Sequence, residues 1–430
     1  MIATPRDSLI LFTRLPQAGR AKTRLIPQLG AEGAAALQRR MTQHAVGRAW
    51  AFASVDPSLQ LRIAYDGDSE SAMRDWLGPL DFIPQGEGDL GQRLQRCIQR
   101  EFDGGARRVI VIGTDCPRLK ETHLCEARLA LSHTPVVLGP AHDGGYYLIG
   151  LSQPMPALFE AISWSTDQVL AETQRLARQQ GIEPALLPNL PDVDLPTDLA
   201  DAEAALAEGR SVSVIIPTLN EAANLSRLLP QLQAASPHEI LIADGGSADA
   251  SHDIAEQHCA RIIPSERGRA KQMNAAAKEA SGEHLLFLHA DTDPPATYAA
   301  LIAHHLEQAG VAAGAFRFAL REDIAIRAII EKLVALRCAA RQLPYGDQGI
   351  FLRRSIFQAQ GGFPDWPILE DVQLVRQLRR IGRIRITNEA ALTSARRWQS
   401  HGVLRTFVWH QLILLGYYLG LSPQRLATWR

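Results

Sequence analysis

Cysteine is scarce in this chain and follows no pattern. The five residues, Cys97, Cys116, Cys125, Cys259 and Cys338, are odd in number and show no C-x-x-C spacing, which argues against a disulfide framework or a structural zinc site. A reducing, cytoplasmic compartment is the resulting expectation. Excess charge of one sign is missing too: 45 Lys and Arg stand against 46 Asp and Glu. No global field therefore recruits nucleic acid or an anionic membrane, and a charged partner must be met locally. Long apolar runs are also lacking. The longest, residues 407–421, is interrupted by His410 and Gln411 and is too short and too polar to span a bilayer. The opening "MIATPRDSLILFTRL" has no basic start before a long apolar region and reads as a first strand, not a signal peptide.

What is present is a repeated alternation. At 430 residues the chain is too long for one ordinary core. Short apolar runs of strand character alternate with stretches of helical spacing, the pattern of a mainly parallel sheet covered by helices. The first series is "SLILFT", "LQLRIAY", "RRVIVIGTD" and "PVVLGP"; the second restarts with "SVSVIIPTLN" and continues with "EILIADGG", "HLLFLHAD" and "AGAFRFAL". Between them lies the proline-punctuated "LLPNLPDVDLPTDLADAEAALAEGR". The expected architecture is α/β in two tandem domains, residues 1–208 and 209–430.

Open α/β sheets present ligand groups beyond the carboxyl ends of their strands. In the second half those positions hold Pro217, Thr218, Asn220 and Glu221 after the first strand, Asp244 and Gly246 after the second, and His289, Asp291 and Asp293 in "FLHADTD". Taken singly each has a plain reading: "DGGS" is a turn and helix cap, and D-x-D triplets recur at 66–68 and 192–194.

Taken in order, "SVSVIIPTLNEAANL", "EILIADGGSADAS", "GRAKQMNAAAKEASGEHLLFLHADTDPP" and "GGFPDWPILEDVQLVRQLRRIGR" resemble the family 2 glycosyltransferases of the GT-A fold, over residues 211–400. Within that family "GRAKQMN", "HADTDPP", "YGDQGIFLRR" and "TSARRW" are most similar to small transferases associated with arsenosugar and radical-SAM gene clusters. The resemblance implies a UDP- or GDP-sugar donor and a divalent cation, Mg²⁺ or Mn²⁺, that neutralises the departing diphosphate. Asp291 is then the first candidate ligand and Asp293 a second. His289 stands where the family has its first Asp, either ligating the metal or facing the nucleoside. Asp244 and Glu221 would meet the nucleoside. Arg269, Lys271 and Asn274 open a helix where a diphosphate could lie, and Asp347 and Arg397 join the same set. Inversion needs one base opposite the leaving group, which the resemblance places on Asp371 with Glu370 beside it; the pair also reads as the acidic first turn of a helix. Ser394 replaces the glutamine of the processive Q-x-x-R-W motif, which favours transfer of a single sugar. The segment "VLRTFVWHQLILLGYYLGLSP" is a buried or homodimer-facing helix, or one resting peripherally on a membrane.

In the first half "LFTRLPQAGRAKTRL" gathers Arg14, Lys22 and Arg24 in a loop suited to phosphate that is neither a Walker A nor a G-x-G-x-x-G sequence. Asp115, Asp143 and Asp194 follow later strands. This half resembles the DUF2064-type bacterial transferases and, more distantly, small nucleotidyltransferases. That resemblance implies triphosphate binding by Lys22 and Arg24 and metal binding by Asp115 and Asp194; Arg14 joins the phosphate-binding loop by its place in it, and Asp143 in "HDGGYY" reads either as a nucleotide or substrate contact or as part of a tight turn. The expected function is metal-dependent, inverting transfer of a sugar to a small-molecule or lipid-like acceptor, with an N-terminal nucleotide-handling domain. The alternatives are nucleotidyl transfer as the main activity, or a non-catalytic nucleotide-binding module.

Overall fold

The computed structural model describes residues 6–67, 69–324, 326–395 and 403–429. Arg397 lies outside the described residues. The chain separates into two compact units, one of residues 1–209 with Glu307–Gly310, the other of residues 210–306 and 311–430.

The first unit holds a seven-stranded sheet in the order β3-β2-β1-β4-β6-β5-β7. Its strands are β1 (Arg6–Arg14), β2 (Leu59–Asp66), β3 (Phe82–Pro84), β4 (Ala106–Ile112), β5 (Val136–Pro140), β6 (Tyr146–Leu151) and β7 (Ala185–Leu186). Pairing is parallel except where β6 runs between β4 and β5. Leu9, Ile10 and Leu11 are all fully buried, because helices cover both faces of such a sheet and its strands read as continuous apolar runs. The helix Leu90–Asp103 starts on a capping box, with Gln92 N–H donating to Asp89 Oδ1 at 2.9 Å and Asp89 N–H to Gln92 Oε1 at 3.1 Å.

The second unit repeats the scheme. Its strands are β8 (Val212–Thr218), β9 (Glu239–Asp244), β10 (Arg261–Pro264), β11 (His284–Phe287), β12 (Thr292–Asp293), β13 (Val311–Leu320), β14 (Ile350–Arg353) and β15 (Arg383–Thr393). They stand in the order β10-β9-β8-β11-β14-β13-β15-β12. β8, β9, β10 and β11 are mutually parallel, and β14 is antiparallel to both β11 and β13. Both sheets thus place their first strand centrally, with the next two on one side and the fourth on the other. The order reverses beside β1 in one unit and beside β8 in the other, which opens a crevice at the strand ends.

All eight apolar runs read from the sequence are strands. β3, β6, β7, β10, β12, β14 and β15 were not among them. β6 begins inside "HDGGYYLIGL", where the glycines signal a turn, and β15 alternates charged and apolar residues with arginines at its start.

Candidate active site

In the second unit the crevice is a cavity of about 460 Å³. Pro217, Thr218 and Glu221 enter from the end of β8, His289 and Asp291 from the end of β11, Arg269 from a helix start, and Asp347, Glu370 and Asp371 from later elements. Residues from five separate stretches of sequence thus line one wall or another of a single space.

Glu370 and Asp371 occupy the first turn of the helix Glu370–Ile381. Val372, Leu374, Val375 and Leu378 face the core, Arg379 and Arg380 lie outside, and the acidic start complements the helix dipole. The residue before the helix, Leu369, is held at φ 64°, a strained setting for a branched side chain. Asp371 Oδ2 accepts from Gly346 N–H at 2.7 Å and Oδ1 from Val372 N–H at 2.7 Å. The carboxylate is oriented, and each oxygen keeps a lone pair for a ligand. Glu370 is buried, and its pKa is raised by that burial and then by Asp371, with Arg269 at 3.4 Å opposing the rise.

Gly346 is where His289 and Asp371 converge. A methyl group placed there would stand 2.9 Å from His289 Nε2 and 3.3 Å from Asp371 Oδ2. Asp291 lines the cavity and forms no ion pair among the described residues, its Oδ1 receiving only Thr292 Oγ1 at 3.5 Å. An open carboxylate with an imidazole in the same cavity suits a divalent cation whose remaining positions are filled by oxygens of another molecule.

Several expected residues lie elsewhere. Asp293 is buried and ion-paired with Arg227 and with Arg321, the latter at 2.8 Å. Two guanidiniums already neutralise it, and it does not line the cavity. His289, Asp291 and Asp293 accordingly do not form a ready three-ligand cluster among the described residues. Asp244 accepts from Gly246 N–H at 2.9 Å, Ser247 Oγ at 2.5 Å and His252 Nε2 at 3.0 Å. Burial would raise its pKa, but these bonds outweigh that and lower it. Asn220, at φ 57°, accepts from Ala248 N–H at 2.8 Å and so ties the β8 loop to the Asp244–Gly246 loop. Asn274 clasps the main chain of Phe363, donating at 2.8 Å and accepting at 2.9 Å. Lys271 pairs with Glu266 at 2.6 Å. Asn220, Asp244, Gly246, Lys271 and Asn274 are not in the cavity wall.

Other wall residues were not among the expected site residues. Gln272 donates to Thr218 O and Ala243 O, both at 2.8 Å, and so joins the ends of β8 and β9. Tyr345 lies under the Arg337 guanidinium, 3.5 Å from its ring centre, and burial first of all pushes its phenol up to about 12. Trp409, Ile413 and Leu414 give the cavity an apolar side.

In the first unit a crevice of about 740 Å³ opens beyond β1 and β4, lined by Arg14, Lys22, Arg24, Asp115, Asp143, Asp192 and Asp194 among others. Lys22, only 6% exposed, bonds Asp115 at 3.1 Å, Asp194 at 3.0 Å and Val193 O at 2.6 Å. Burial acts to lower its pKa, yet the two carboxylates together raise it. An ammonium therefore stands between Asp115 and Asp194, which were expected to share a metal. Asp194 groups instead with Asp143 and Asp192, one ligand oxygen of each lying within 4.8 Å of the others. Asp192 was missed, and burial and then Asp143 raise its pKa. Asp143 also accepts from Gly145 N–H at 2.8 Å, within the turn that precedes β6.

Each unit is thus an α/β sheet with a crevice at its strand ends that mixes carboxylates with cations. Residues 213–357 match the family described as Glycosyl transferase family 2. Residues 52–166 match the family described as Uncharacterized protein conserved in bacteria (DUF2064). The chain matches one of these two family models in each of its halves. Over 94 residues, 19% of its length, it is 34% identical to glycosyltransferase AglE of Haloferax volcanii, and it spans 31% of that relative. A putative nucleotide-diphospho-sugar transferase from Desulfovibrio desulfuricans G20 is 29% identical, covering 48% of this chain and 98% of its own, at a TM-score of 0.42. Glucosyl-3-phosphoglycerate synthase from Mycobacterium tuberculosis, solved with Mn²⁺, UDP and glucosyl-3-phosphoglycerate, is 20% identical, covering 51% and 83%, at a TM-score of 0.39.

Proposed function

We propose that the second unit transfers a single sugar from a nucleotide-sugar donor to a hydroxyl of a small-molecule or lipid-like acceptor, with inversion, and that residues 1–208 and 209–430 act as separate functional domains. The observation that carries this reading is the cavity that holds Asp371, Asp291, His289 and Arg269 together. Asp371 takes the proton of the acceptor hydroxyl as its oxygen attacks the anomeric carbon, and the bond from that carbon to the diphosphate breaks. The Gly346 and Val372 N–H groups hold the base in position meanwhile. Glu370 lies buried beside that base, with Arg269 3.4 Å from its carboxylate.

A divalent cation, Mg²⁺ or Mn²⁺, would be held by Asp291 and His289 and supplies charge neutralisation of the departing diphosphate. Arg269, paired with Glu370, adds a positive charge to the same wall. Trp409, Ile413 and Leu414 offer the acceptor an apolar surface.

The first unit handles a nucleotide or sugar phosphate, with Arg14, Arg20 and Arg24 lining its crevice as the anion-binding groups. The acidic group of Asp143, Asp192 and Asp194 favours a metal-assisted nucleotidyl transfer there as the second reading. Nucleotide-sugars incubated with the protein and metal test the assignment. Nucleoside diphosphate should be released by wild type and fall about a hundredfold or more in Asp371→Asn. A wild-type rate in that variant would remove Asp371 as the base.

A further inference from the structure

The helix Arg327–Arg341 turns an apolar face outward. Ile329, Leu333 and Leu336 are 60%, 40% and 64% exposed, at helical spacing, with Ala328, Ala335, Ala339 and Ala340 exposed among them. Lys332 and Arg341 are exposed on the same helix. Its one acid, Glu331, is turned to use inside the fold, accepting from Leu320 N–H at 3.0 Å and from Arg327 Nε at 2.8 Å. The outer face is therefore apolar and cationic, without a carboxylate.

The C-terminal end of this helix meets further arginines. Gln342 Oε1 accepts from Ile384 N–H at 3.0 Å, which sets Arg341 near the start of β15 with its exposed Arg383 and Arg385. Arg379 and Arg380, also exposed, close the preceding helix. That helix is joined to the helix Val403–Tyr418, since Arg376 donates to Tyr417 Oη at 2.7 Å and stacks on Tyr418 at 5.5 Å. The latter helix shows Leu412, Leu415 and Tyr418 to solvent. Residues 372–430 contain ten arginines, no lysine or aspartate and one glutamate, a net charge of +9 in a chain whose total is −1.

We propose that this face of the second unit docks on an anionic lipid surface, the apolar side chains entering the headgroup boundary and the arginines meeting lipid phosphates. Two properties select a lipid over the other occupants. A second copy would bring the same patch against itself across a two-fold axis, so arginines would face arginines. A nucleic acid would satisfy the cations and leave the leucines in water. No described helix is long and apolar enough to cross a membrane, so the contact is superficial. It holds independently of which sugar is transferred, or whether one is.

Sedimentation of the full chain with vesicles tests it. Vesicles with about one-third phosphatidylglycerol should bind at least about tenfold more strongly than pure phosphatidylcholine, and raised salt should weaken the binding. Ile329→Glu with Leu336→Glu, and separately Arg379→Glu with Arg380→Glu, should each reduce binding about tenfold or more while the melting temperature holds. All four sites are exposed, so folding is not at stake. The proposal fails if anionic vesicles leave the protein in the supernatant, or if both double variants bind like wild type. It fails also if light scattering shows a dimer that Leu336→Glu dissociates, which gives the face to a second copy.

Discussion

Gly346→Ala perturbs the proposed site with a single methyl group. Gly346 opens a short 3₁₀ turn and is not among the residues at positive φ, so alanine fits the backbone. The added carbon would stand 2.9 Å from His289 Nε2 and 3.3 Å from Asp371 Oδ2. An ordinary carbon–nitrogen contact needs roughly half an ångström more, and both side chains must yield. Displacement of reacting groups on the order of an ångström costs up to about a hundredfold in rate. The expectation is a ~10- to 100-fold loss of kcat, or about 1.4 to 2.7 kcal/mol of barrier. Stability should fall by only about 1 to 2 kcal/mol, the range of mild overpacking. Nucleoside diphosphate release and thermal unfolding, measured on one preparation, separate the two effects. A variant that folds normally and keeps kcat within about twofold would show that Asp371 and His289 do not both act in the reaction.

Three further outcomes follow from the charges. Glu370 holds its proton to higher pH in the folded protein than in the unfolded chain, so the native state binds more protons above about pH 4.3 and loses stability as pH climbs from there to the raised value. Glu370→Gln lacks that fall, and its stability relative to wild type should rise across the same window in denaturant titrations; a constant difference would contradict the assignment. Asp293→Asn should lower stability by about 2 to 4 kcal/mol, since Arg227 and Arg321 lose a buried partner. The metal concentration for half-maximal activity should stay unchanged in that variant and rise in Asp291→Asn, and the reverse pattern would restore Asp293 as a ligand. Lys22→Met should cost about 1 to 2 kcal/mol, below the figure for a fully buried pair because Asp115 and Asp194 are 50% and 32% exposed. Chemical denaturation checks that value, and an unaltered midpoint would show that Lys22 contributes nothing to the fold.

Much of the scaffold was legible because burial on both faces of a parallel sheet demands continuous apolar runs, and the polar residues directly behind them mark the strand ends. Thr218 and Asp291 could be singled out in that way, whereas Asp371, at a helix start, was singled out by the family resemblance alone. Partners were harder to read. Asp291 and Asp293 are two residues apart with the same chemistry in the sequence, but Asp291 sits in the turn before β12 and Asp293 within β12, so one lines the cavity and the other meets Arg227 and Arg321. Asp115 and Asp194 follow separate strands, and nothing in their spacing announces that Lys22 stands between them. Tyr345 and Gln272 lie inside motifs read from the sequence, "YGDQGIFLRR" and "GRAKQMN", but were not singled out within them.

The sequence by itself determined the two α/β units and the strand-end positions at which functional groups could appear, because periodicity and apolar run length are local properties of the chain. Only the tertiary structure decided which carboxylates are already neutralised and which stay open to a ligand. That depends on cations such as Arg321 and Lys22, 28 and 172 residues from the acids they bind, and no local pattern encodes such a distance.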